Sequence, residues 1–214
     1  MHKFETAIKT MGIILALALL SGCLALKSDR DLLIVPLGEV SPTVLDSINE
    51  ALYAVYKVVI TTNAAIDLPD NAIVKIKTTR YRADSLLVFL EEIRKKEGYD
   101  YVMGITEVDI STTKRIKDGS IKEPVSTYID WGIFGLGYRP GRASVISTYR
   151  LQQNSPHYYA RIKKVAVHEF GHNLGLPHCV DTDTCVMRDA AERLQSIDMV
   201  GDELCYVCKK KLNM

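Results

Sequence analysis

Net charge, internal repetition and an apolar run of bilayer length are all missing from this sequence of 214 residues. With 27 Lys and Arg against 26 Asp and Glu, the formal charge is +1. No global field therefore marks a nucleic-acid or membrane-surface binder. The lack of any sustained repeat excludes collagen-like and coiled-coil chains. Only Met11 to Leu20 is apolar enough to consider for a membrane, and it falls short of the ~20 residues that a spanning helix needs. A multi-pass membrane protein is thereby excluded. What is present is ordinary for one soluble globular domain, with 47% apolar and 25% charged residues. That apolar content excludes disorder, and the length suits one sizeable core better than two.

The first residues read as an export signal. Lys3 and Lys9 precede the apolar run, and Ser21-Gly22-Cys23 follows it, the order of positive region, apolar stretch and small-residue boundary that such signals share. Leu20-Ser21-Gly22-Cys23 resembles the bacterial lipobox, in which the cysteine is lipidated and becomes the new N-terminus. The expected organisation is a signal peptide over 1–22, lipidated Cys23 and a short tether over 23–30, and one folded domain over 31–214. Removal of 1–22 takes away two Lys and one Glu, leaving a formally neutral mature chain. A tether of seven residues reaches at most ~25 Å, which holds the domain close to a membrane on the periplasmic or cell-surface side. An uncleaved anchor or a plain secretory signal is the alternative.

Along the mature chain, Leu32-Leu33-Ile34-Val35 reads as a strand closed by Pro36 and Gly38. Ser41-Pro42 opens a helix to about Lys57, with Leu45, Ile48, Leu52 and Val55 at helical spacing. β-Branched runs follow at 57–61 and 73–76. A second amphipathic helix spans about 83–96 and stops at Gly98, and a strand covers 101–105. Residues 106–130 are polar, contain the turn signal Asp118-Gly119, and read as a solvated excursion. Strands at 133–138 and 143–149 and a long helix over about 157–174 complete the order. It predicts a single α/β (α+β) domain with a mixed sheet.

The chemistry is concentrated in His168-Glu169-Phe170-Gly171-His172-Asn173-Leu174-Gly175-Leu176-Pro177-His178. Two histidines four apart lie on one helical face, so both imidazoles reach one metal ion. Glu169, beside the first, reaches a water in an open coordination position. Gly175 permits a left-handed helix end and Pro177 prevents the helix from resuming. The chain turns back, and His178 becomes a third ligand. Three nitrogens and one open position suit catalytic zinc. Chance produces the extended pattern in about one chain in 10⁵ of this composition. The mature chain holds four histidines and three are here; His157 reads as a surface residue at the helix start.

This segment resembles the metzincin signature. The residues after it narrow the resemblance to the archaemetzincins: Cys179 follows His178, then come Cys185-Val186-Met187 and Cys205-Tyr206-Val207-Cys208. The likeness covers about residues 160–214. It implies a metzincin-like zinc metallopeptidase with an active-site helix, aminopeptidase-like in some members, and a small Cys-rich C-terminal subdomain over 179–214. His168, His172 and His178 would hold catalytic zinc, Glu169 would be the general base, and Met187 would form the Met-turn beneath the metal. Where some metzincins carry a tyrosine two residues after that methionine, this chain has Asp189, so no tyrosine role carries over. Cys179, Cys185, Cys205 and Cys208 would bind a second, structural zinc, giving two zinc ions per chain. The export signal points instead to disulfides, for which four cysteines allow three connectivities. The resemblance also implies that an extended substrate pairs with an edge strand, for which 143–148 is the expected segment, an ordinary sheet strand being the alternative.

Peptide-bond hydrolysis is the expected reaction, with a peptide or protein as substrate, no nucleic-acid partner, contact with the membrane through lipid on Cys23, and a monomeric state. Two rivals remain at this stage. One is a non-catalytic zinc-binding lipoprotein, for which Glu169 has no use. The other is a thiol-redox protein using Cys205 and Cys208, which lack a thioredoxin-like context.

Overall fold

A computed structural model describes residues 30–189 and 193–214. The signal segment over 1–22, Cys23 and the tether up to residue 29 lie outside the described residues. In chain order the elements are β1 (Asp31–Pro36), α1 (Pro42–Tyr56), β2 (Val59–Thr62), β3 (Ile73–Lys75), β4 (Thr79–Arg82), α2 (Ala83–Glu97), β5 (Tyr101–Thr106), β6 (Ile110–Thr112), α3 (Val125–Tyr128), β7 (Trp131–Ile133), β8 (Gly135–Gly137), β9 (Ala143–Ser147), α4 (Tyr158–Asn173), α5 (Leu194–Met199) and α6 (Tyr206–Lys211). Among the described residues no helix is long and apolar enough to cross a membrane.

The main sheet has the order β2-β1-β5-β9-β8. The first four strands run parallel, and β8 joins β9 antiparallel. Both faces are covered, which is why β1 is apolar without interruption. Leu32 and Ile34 enter the core beneath α1 and α4, while Leu33 and Val35 enter the core beneath α2. In α1 the buried residues are Val44, Ile48, Leu52 and Tyr56, with the expected Leu45 and Val55 packed on the flank of the same core. Lys57 closes α1 in the left-handed region and Gly98 closes α2 likewise. Residues after Cys179 share the α1–α4 core through Cys185, Val186, Met187, Ile197, Leu204 and Cys208.

Two expectations need correction, and a third is decided between its alternatives. Residues 106–130 are not wholly a solvated excursion: 115–120, with the Asp118-Gly119 turn, and 123–126 are exposed as expected, but the others are not. They supply β6, whose Ile110 and Ser111 are fully buried, to a second sheet of order β3-β4-β6-β7. Its strands are three or four residues long, too short to display an alternation. Ion pairs tie it together: Arg80 meets Asp109 and the fully buried Asp130, and Arg150 meets Asp109. Second, the apolar stretch from Ile133 is not one strand, because β7 and β8 belong to different sheets and part at Phe134. Third, of the two readings of 143–148 the ordinary sheet strand holds, because β9 is not an edge. It pairs with β5 on one side and β8 on the other and is buried throughout. The sheet's edge strands are β2 and β8, and the edge beside α4 is β8.

Candidate functional site

Helix α4 carries the site across the main sheet. Arg161, nearly buried, anchors it through two bonds of 2.7 and 2.6 Å to Asp198 of α5. At its C-terminal end Gly175 takes a positive φ of 96°. The backbone N–H groups of Gly175 and Leu176 return to the carbonyls of His172 and Gly171. That left-handed close, foreseen in the sequence, turns the chain so that His178 faces the helix it has just left.

The three imidazoles then converge, with ring centroids 4.6 to 5.3 Å apart and one nitrogen from each within 4.8 Å of the others. Backbone carbonyls fix the first two rings. His168 Nδ1 donates to Val186 at 2.8 Å and His172 Nδ1 donates to Leu176 at 2.8 Å. A carbonyl can only accept, so Nδ1 carries the proton and Nε2 keeps its lone pair for a metal. Burial, and then the neighbouring His172, hold His168 down to about 3, and burial lowers His172 as well. Both rings are therefore neutral, the form that ligates. His178 is more open, and its Nδ1 lies 3.6 Å from Asp189 Oδ2. The position that lacks a tyrosine thus places a carboxylate beside the third imidazole. His157, by contrast, sits exposed at the start of α4.

Met187 is fully buried beneath the helix. A Cβ on Gly171 would stand 2.4 Å from its sulfur, so glycine at this helical position permits the close approach of the turn. Glu169 lies under the sheet edge. Burial pushes its carboxyl up to about 8, against the pull of the Gly137 backbone N–H. Side chains are excluded above it: a Cβ on Gly135 would meet the Glu169 side chain at 2.7 Å, and one on Gly137 would meet its carbonyl at 2.6 Å. Asn173 holds this edge in place by donating to the carbonyls of Tyr138 and Ala143 at 3.1 and 2.8 Å. The sequence reading missed Gly135, Gly137 and Asn173. Asn173 lies inside the histidine motif, yet its partners come from a hairpin that the motif does not name.

Phe134 accepts from Ser147 N–H and Tyr138 N–H donates to Ala143, so by alternation the peptide groups of Gly135 and Gly137 face away from β9. Beside them opens an apolar pocket of about 40 Å³, bordered by Ile133, Phe134, Val165, Ile197 and Val200 and by His168 and Glu169. Lys164 stands at its wall, donating to the Ile197 carbonyl at 3.1 Å.

The four cysteines form a second cluster, all unpaired as disulfides, with every sulfur within 4.8 Å of the others. Cys179 to Cys205 and Cys185 to Cys208 both measure 3.7 Å between sulfurs. A tetrahedron with metal–sulfur bonds of ~2.3 Å has edges of about 3.8 Å, so this donor set fits zinc. Cys205 and Cys208 each have the other two cysteines as close sulfur neighbours as well, so they are not set apart as a redox pair would be.

The chain matches the model of peptidase family M54 over residues 35–214. It is 32% identical over 189 residues to the archaemetzincin of Haloquadratum walsbyi, covering 84% of this chain and 97% of that protein. The archaemetzincin of Natronomonas pharaonis is 30% identical over the same shares of the two chains. The crystal structure of the Methanopyrus kandleri archaemetzincin superposes with a TM-score of 0.69 at 27% identity, over 87% of this chain and 95% of that one. The likeness that the sequence carries in its last quarter thus extends over the strands and helices in front of it. This chain belongs to peptidase family M54, the archaemetzincins, and is a zinc metallopeptidase.

Proposed function

We propose that His168, His172 and His178 hold the catalytic zinc, that Glu169 is the general base, and that Cys179, Cys185, Cys205 and Cys208 hold a second, structural zinc. The observation that carries the proposal is the convergence of three imidazoles and one carboxylate beneath the free edge of β8. A zinc ion at the imidazoles supplies Lewis-acid polarisation of the scissile carbonyl and draws the pKa of water toward ~7. Everything else is work for the chain. The outward N–H and carbonyl of Gly135 and the carbonyl of Gly137 pair with an extended substrate and align its scissile bond over α4, while the Gly137 N–H stays on Glu169. The ionised form of Glu169 would be favoured, against the effect of burial, by a cation at the imidazoles, and that carboxylate takes a proton from the attacking water and delivers it to the leaving amine. The carbonyls of Val186 and Leu176 keep His168 and His172 in one tautomer throughout. The apolar pocket beside Glu169 receives a substrate side chain and excludes water from the reacting bond.

The test is a peptide pool with free and blocked N-termini, digested by the zinc-loaded protein and by Glu169→Gln and read by mass spectrometry. Cleavage lost in the variant, with zinc retained, is expected. Dependence on a free amine marks the aminopeptidase-like action seen in the resemblance, and its absence marks internal cutting. Undiminished cleavage by Glu169→Gln would sink the assignment of the base.

We further propose that the mature protein is a lipoprotein held at a membrane through Cys23, on the strength of Leu20-Ser21-Gly22-Cys23 after an apolar run. Mass spectrometry of the N-terminal peptide from the native host should find Cys23 first and carrying lipid. An N-terminus elsewhere would overturn this.

A further inference from the structure

The cleft does not end at the apolar pocket. Phe134 separates that pocket from a second, larger one of about 390 Å³, bordered by Lys77, Arg80, Arg150, Arg193 and Trp131. Both walls run continuously from one to the next. On the sheet side the lining passes from Gly135 and Ile133 back to Gly132 and Trp131; on the helix side it passes from Val200 and Ile197 back to Leu194 and Arg193.

Charge in this second pocket is layered. Asp130, fully buried, lies at its back, and Asp109, 8% exposed, stands behind the two arginines, on the side of a neighbouring cavity. Arg80 is tied to both acids, and its Nε and Nη1 are used in doing so. Arg150 spends Nε and Nη2 on Asp109, and its guanidinium lies against Gly132, where a Cβ would come within 2.2 Å of it. Arg80 Nη2 and Arg150 Nη1 make no hydrogen bond among the described residues. Arg150 is 31% exposed, and Lys77 and Arg193 are exposed at the mouth. Four cations thus border a pocket in which Asp130 is the one lining acid among the described residues, and Lys77 is steadied there by the Thr127 carbonyl at 2.6 Å.

The direction of the substrate follows from strand chemistry. Antiparallel pairing is the more stable mode per residue, and a peptide laid antiparallel on β8 runs from the Gly137 end toward Gly135. Its C-terminal part then passes the apolar pocket and arrives among the cations. We propose that this basic pocket is a subsite for a carboxylate lying C-terminal to the scissile bond, either an acidic side chain or the free C-terminus of a short peptide. The proposal rests on the reading of the His–Glu centre given above. Guanidinium groups pre-held in a planar fork suit a carboxylate, and charge-assisted bonds of this kind select strongly.

Trp131, the one tryptophan of the chain, lines the pocket, so its emission reports occupancy without turnover. Zinc-loaded Glu169→Gln is titrated with alanine hexapeptides carrying Glu or Lys near the C-terminal end, each with a free or an amidated C-terminus. Carboxylate-bearing peptides should bind about tenfold more tightly than the amidated Lys peptide. The preference should vanish when Lys77→Ala and Arg193→Ala are added. The Glu and free-terminus arms tell which carboxylate is read. Equal affinity for all peptides, or a preference untouched by the added substitutions, overturns the subsite. Turnover of the same peptides by the wild-type protein is scored separately. Cleavage without preference removes the subsite and keeps the His–Glu reading; preference without cleavage does the reverse.

Discussion

His178 and Cys179 are neighbours in the chain, yet they serve clusters of opposite design. The imidazole cluster brings three donors together, has a carboxylate beside it, and leaves its third ring 43% exposed. The thiol cluster brings four, three of them buried, and holds them at tetrahedral spacing. The lesson is in the count. Three fixed donors and an accessible side make a centre that can take a fourth partner, whereas four donors closed in a core leave none to take. One rotation of the backbone, from the left-handed residue Gly175 to the turn at Met187, serves both.

The largest effect that tests the contrast is expected from Cys208→Ser. A structural zinc site contributes about 10 kcal/mol or more of binding free energy to folding. Its loss should reduce bound zinc from two ions to one and unfold the segment after Cys179. Metal analysis and circular dichroism check this, and an unchanged zinc content would mean that the thiols hold no metal. Next comes Glu169→Gln, which should cost about 10³-fold in kcat/KM, roughly 4 kcal/mol of barrier, with both ions and the melting curve intact. Gly171→Ala probes what the clusters share. Its Cβ meets the Met187 sulfur, so we expect about 1–3 kcal/mol of lost stability, read by denaturant titration. Smallest is Asp189→Ala, which should weaken zinc at the imidazoles by about tenfold and leave the thiol site alone. A competition titration with a chelator would show whether the two sites part in this way.

How much of this was legible in the sequence depended on what held each part together. Elements defined by apolar periodicity, such as β1, α1 and α2, follow the sequence within a few residues, because burial itself writes the pattern. The histidine motif was equally legible, since a metal demands fixed donor types at fixed helical spacing. The second sheet was not. Its strands are held by Arg80, Asp109, Asp130 and Arg150, and a buried ion pair looks in sequence like any solvated charge. The edge reading of 143–148 gave way to its alternative, an ordinary sheet strand, for a related reason. Strand β9 is richer in β-branched residues, but its apolar character reflects burial on all sides, whereas β8 is Gly-Leu-Gly because a helix carboxylate lies directly against it.

The carbonyl of Val186 has a consequence of its own. It aims His168, and it belongs to the residue that stands between Cys185 of the thiol cluster and Met187. On the proposed two-zinc reading, a metal at the thiols would hold the same stretch of backbone that orients an imidazole of the other centre. Free-energy coupling of this sort is reciprocal. If metal at the thiols tightens an inhibitor's grip on the three imidazoles, that inhibitor would strengthen retention at the thiols by the same factor, and resistance to heat would then gauge whether the active site is occupied.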